Sequence, residues 1–123
     1  MAFFACLMVS MGAAQWSAQI IHADVLSALD TLPAGSRVWV AGQPVTDPDR
    51  VLQALRSLRW ASAHHSHPSH PILVRVLAPS HDVVLSVSRD SDDPHEYWVF
   101  LPRYRVTSMN EVGRIFTTAL DGY

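Results

Sequence analysis

Three short runs between Ile72 and Leu101 constrain the fold of this chain more than any other stretch. Ile72, Val74 and Val76 alternate with Leu73, Arg75 and Leu77, and Val83, Leu85 and Val87 alternate with residues that include Ser86 and Ser88. The third run, Glu96 to Leu101, is rich in aromatic and β-branched side chains. An apolar residue at every second position is the period of a strand with one buried face. Pro79-Ser80-His81-Asp82 and the polar stretch Arg89 to His95 separate the runs, and links this short join neighbouring strands in antiparallel order. A three-stranded meander is expected, with Ser86 and Ser88 facing outward. In its last strand Tyr97, Val99 and Leu101 point one way and Trp98 and Phe100 the other, so one set belongs to the core.

Helical spacing appears upstream. Ile21, Val25 and Leu29 recur every four residues within 15–32, which predicts an amphipathic helix ending before Pro33-Ala34-Gly35. Arg37 to Gln43 reads as a single strand closed by Pro44. In Thr46-Asp47-Pro48-Asp49, either of the first two residues can cap a helix, Pro48 suits its first turn and Asp49 its positive end. Val51, Leu52, Leu55 and Leu58 then form one apolar stripe. Ser62 to Pro71, mostly His, Ser and Pro, reads as an exposed loop. Near the C-terminus, Ser108-Met109-Asn110-Glu111 fits a capping box, whereas Gly113 and the run Ile115 to Thr118 favour a strand. The balance favours a strand at the sheet edge. The expected fold is a single α+β domain with two helices packed on one face of a four- or five-stranded, mostly antiparallel sheet.

The chain divides at its leader. Twelve of the first 14 residues are apolar and none is charged, and Gly12-Ala13-Ala14 supplies the small residues signal peptidase requires. Residues 1–14 are expected to be a secretory signal peptide, leaving 15–123 as the domain in a periplasmic or secreted setting. The apolar run is too short to span a bilayer, which takes about 20 residues. Cys6, the only cysteine, lies within it; a lipid anchor there is the lesser alternative. The remaining 109 residues carry every charge and no thiol, so their stability rests on an apolar core. All nine cationic residues are arginine and the formal net charge is −2, which argues against a nucleic-acid footprint.

Three constellations could carry chemistry. His64, His65, His67 and His70 crowd one loop and could gather weakly on zinc or copper, although their spacing matches no established ligand motif. Asp90, Asp92, Asp93 and Glu96 surround His95 in a turn; adjacent carboxylates can divide acid and base roles in a small hydrolase, but Asp and Ser are also ordinary turn residues. Arg89 and Arg103 are available to pair with these acids. Finally, Arg89, Tyr97, Trp98, Arg103, Tyr104 and Arg105 combine aromatic and guanidinium groups, the types enriched at protein-binding hot spots. No nucleophile elbow, P-loop, dinucleotide fingerprint, zinc-protease helix or C-x-x-C is present. No catalytic residue or cofactor is expected. In general layout the chain resembles the small exported bacterial proteins that act as inhibitors, immunity factors or envelope accessory proteins. That layout implies a non-enzymatic protein-binding module working through its sheet face or the Arg89 to Arg105 hairpin.

Overall fold

The computed structural model describes residues 22–33, 35–60, 66–79, 81–102 and 111–123. The expected leader, and with it Cys6, lies outside them. Residues 22–30 form helix α1, with Val25 and Leu29 buried on one side at four-residue spacing. Strands β1 (Arg37–Val40) and β2 (Gln43–Pro44) follow. The sequence suggested one strand here, but Ala41 and Gly42 both take positive φ, 51° and 77°. Two such residues make the tight turn whose twist matches a hairpin, so the segment folds back on itself.

Helix α2 (Pro48–Arg56) begins where the sequence places it, with Asp47 rather than Thr46 as the cap. The Asp47 carboxylate accepts the Arg50 amide at 3.3 Å, and Val51, Leu52, Ala54 and Leu55 are buried. At the other end of α2, Arg56 donates from Nε to the Leu29 carbonyl at 3.1 Å and from Nη2 to the Leu32 carbonyl at 3.0 Å. These are carbonyls that the end of a helix leaves without partners. One side chain therefore locks α2 to the end of α1.

Strands β3 (Pro68–Leu77), β4 (Asp82–Asp90) and β5 (Glu96–Phe100) form the expected meander. Strand β3 starts at Pro68, inside the segment expected to be loop. Its prolines are tolerated because β1 pairs only with Val74 to Leu77, so Pro71 interrupts no ladder on that side. Strand β6 (Glu111–Phe116) pairs with β5, in agreement with the strand reading of the C-terminal region. The sheet has six strands in the order β2-β1-β3-β4-β5-β6, every neighbouring pair antiparallel. The strand beyond the expected five comes from the division of 37–43.

Val38, Val40, Val74, Val76, Val83, Leu85, Val87, Tyr97, Val99 and Ile115 line one sheet face. They pack in a single cluster with Val25 and Leu29 of α1 and Val51, Leu52 and Leu55 of α2. Gly113 fixes how closely the chain approaches at the far edge. A Cβ there would lie 2.4 Å from the Arg59 carbonyl oxygen, and Arg59 exchanges two main-chain hydrogen bonds with Arg114, at 2.9 and 2.7 Å. Only glycine permits that contact. Among the described residues, no helix is long and apolar enough to cross a membrane.

Candidate functional site

The face turned away from the helices, here called the outer face, divides into two halves of different character. The half formed by β4, β5 and β6 is buried: Ser86 and Ser88 turn away from the helices as expected, but they are enclosed rather than open to solvent. Phe100, Trp98, Ser86 and Ser88 are all enclosed, so both alternating sets of β5 are core.

At its centre the Arg114 guanidinium, 4% exposed, donates from Nη1 to Glu96 Oε1 at 2.8 Å and from Nε to Glu111 Oε1 at 2.7 Å. Its Cζ stands 3.9 Å from the centre of the Trp98 ring. The indole in turn donates to Asp90 Oδ1 at 2.8 Å, and Asp90 Oδ2 accepts the amides of Asp92 and Asp93 at 3.0 Å each. Strand register produces this assembly: Trp98 lies opposite both Ser88 and Arg114, and Glu96 is two residues from Trp98 on the same face.

Burial opposes ionisation of Asp90. The nearby Ser66 hydroxyl, the indole and the two turn amides together outweigh it, holding the pKa at about 2. The Ser66 hydroxyl stands near enough to the carboxylate to assist, although outside strict hydrogen-bonding geometry. Burial pushes Glu111 the other way, up from its ordinary value; the Coulombic push of Glu96 and Asp90 adds to this, and Arg114 only partly offsets it. Arg114 is itself desolvated, but its two carboxylates more than compensate and raise its pKa. The arrangement is a buried ionic network that fixes β6 to β5, and its groups are engaged with one another.

The other turn acids lie nearer solvent. Asp92 and His95 are exposed and Asp93 is half-buried; Asp93 Oδ1 accepts the His95 amide at 2.9 Å. The His95 ring faces Asp121 at 3.4 Å, with both side chains about half exposed. Arg89 donates to the Tyr97 hydroxyl from Nε and Nη2, at 3.2 and 3.0 Å, rather than to the acids. The cation that meets Glu96 is Arg114, which the turn sequence gives no reason to suspect.

Of the residues put forward for partner binding, Arg89 is half-buried, Tyr97 and Trp98 are buried, and Arg103, Tyr104 and Arg105 lie outside the described residues. His67 and His70 are exposed, and His64 and His65 lie outside the described residues. Among the described residues, no group of three or more His, Cys, Asp or Glu side chains is placed to hold a metal ion.

The half of the outer face formed by β1 and β3 is more open: among the described residues no element packs over it. Trp39, Leu73, Arg75 and Leu77 line a shallow groove of about 420 Å³ beside Gly42, and Leu73 is 49% exposed. Register places Arg75 between Trp39 of β1 and Val84 of β4, with Leu77 opposite Arg37 on one side and Asp82 on the other. Sequence reasoning passed over Trp39, Leu73 and Leu77. A signal was present: β3 carries apolar residues in both phases of its alternation, the mark of a strand whose two faces both make contacts. Comparison with known protein families, characterised proteins and solved structures finds no match to this chain.

Proposed function

We propose that this chain is an exported, non-enzymatic protein-binding module that docks its partner on the more open half of the outer sheet face. The observation that carries the reading is the exposure of Leu73 beside Trp39 and Leu77, around the half-exposed Arg75. Leu73 is exposed and Trp39 and Leu77 are half-buried around it, and an apolar cluster with an arginine beside it has the composition of an interface centre. The apolar leader supplies the export half of the proposal. This reading is favoured over hydrolysis at the Asp90–His95 turn because the Asp90 carboxylate already receives an indole and two amides, and His95 stands in solvent against Asp121.

The test is capture from envelope extract by wild-type protein, Leu73→Glu and Trp39→Ser. A protein retained by the wild type should be lost from both variants while their thermal melts stay close to wild type. An identical set of retained proteins for all three would refute docking at this face.

A further inference from the structure

On the open half of the outer face, cationic and apolar side chains alternate. Val38 and Val40 of β1 and Val74 and Val76 of β3 point into the core, so Arg37, Trp39, Leu73, Arg75 and Leu77 point outward. Register sets these five in a checkerboard: Arg37 lies opposite Leu77, and Trp39 opposite Arg75. Leu73 closes the row, its carbonyl accepting the Ala41 amide at 3.0 Å. Arg37 and Arg75 are thus diagonal neighbours across the two strands, a spacing of ~7–8 Å. Past Leu77 the surface runs on into a second hollow of about 420 Å³, to which Pro33, Ala78 and Pro79 contribute beside Arg37. The two hollows share Leu77, and among the described residues their joint lining holds two arginines and no carboxylate.

The acid that shares this face is Asp82, opposite Leu77 on β4. It meets Arg75 at 3.6 Å with both side chains about half exposed, a solvated contact that holds neither group firmly. Arg37 is exposed, and among the described residues its guanidinium has no hydrogen-bond or ion-pair partner. The face therefore carries net positive charge in a chain whose formal net charge is −2. That overall charge opposes approach to an anionic bilayer, whereas a partner segment need match only the local field.

We infer that the partner segment received here is acidic, with Asp or Glu carboxylates set beside a bulky apolar side chain. The carboxylates pair with Arg37 and Arg75, whose planar forks can each offer two parallel N–H donors, and the apolar group lies on Trp39, Leu73 and Leu77. The inference rests on the docking reading and names the chemistry that this surface takes.

The probe is a short acetylated peptide amide of alternating leucine and glutamate, titrated into the full chain at low salt. The methyl resonances of Leu73 and Leu77 and the Trp39 indole are followed by NMR. Saturable shifts at these groups are expected, and added salt should weaken binding. Arg37→Gln and Arg75→Gln should each weaken it about two- to fivefold, the range of a solvated ion pair, and the peptide with glutamine for glutamate should bind more weakly still. Equal binding by the glutamine peptide, unchanged affinity in both arginine variants, shifts elsewhere, or no saturation would overturn the inference. So would Leu73-dependent binding to phosphatidylglycerol vesicles with no response to the peptide. Capture from envelope extract that is lost in Leu73→Glu but kept in both arginine variants would remove this inference alone. Capture unchanged in Leu73→Glu would remove the docking reading itself.

Discussion

Truncation of Arg114 would leave Glu96 and Glu111 buried without their cation. Removing one partner of a buried, hydrogen-bonded ion pair costs about 3–5 kcal/mol, so Arg114→Ala should lower stability by that much in urea unfolding. The neighbouring carboxylates respond to pH in opposite senses. Asp90 has a lower pKa folded than unfolded, so its stabilisation is in place above about pH 4 and is lost as pH falls toward about 2. Glu111 has a raised pKa when folded, so its contribution is present in acid and fades as pH rises through the folded value. Glu111→Gln, which cannot ionise, should therefore lose less melting temperature than wild type as pH rises above the ordinary carboxylate range. Superimposable profiles would show that Glu111 ionisation is not linked to folding. None of this could be read from spacing along the chain. Glu96 and Arg114 are 18 positions apart, and only the pairing of β5 with β6 brings them together.

Elements were more legible than contacts. The Asp47-Pro48-Asp49 start of α2 and the alternation in β3 and β4 act over a few residues, so the sequence discloses them directly. The β1–β2 hairpin was hidden because its turn is Ala-Gly, without the Asn or Asp that usually announces two consecutive positive φ angles. That choice leaves a residue under strain: Ala41 holds φ at 51° with a Cβ. Ala41→Asn should stabilise the protein by about 0.5–1 kcal/mol, measured by thermal denaturation, because asparagine tolerates this conformation better. A loss of stability would mean that the turn relies on the small size of alanine. The start of β3 was hidden for another reason. His, Ser and Pro have poor intrinsic strand preference, and what makes 68–71 a strand is its pairing with β4.

For the molecule as a whole, the division of the outer face decides how a partner can approach. Both sheet edges are poor targets for an added strand. At one end β2 is two residues long and includes Pro44. At the other, Arg59 bonds to Arg114 and His22 Nδ1 donates to the Val112 carbonyl. His22 also stacks on Trp60, ring centres 4.2 Å apart, which binds α1 to the same edge. Association by a face is what remains, and it is the surface the Leu73 and Trp39 variants probe. The α+β class followed from the meander and two amphipathic helices. Which half of the outer face is more open did not, because exposure depends on what covers a strand and not on its own residues.

The paired bonds around residues 61–65 have one more consequence. Just before that segment Arg59 is fastened to β6 by two main-chain bonds; just after it, His67 is fastened to Ser91 through its carbonyl at 2.8 Å and its amide at 2.9 Å. Both flanks are anchored independently of the covalent link between them. The β6 side of the sheet and the start of β3 are therefore each held in place by their own contacts, and Ser91→Ala should loosen the start of β3 without disturbing the Arg59–Arg114 pairing.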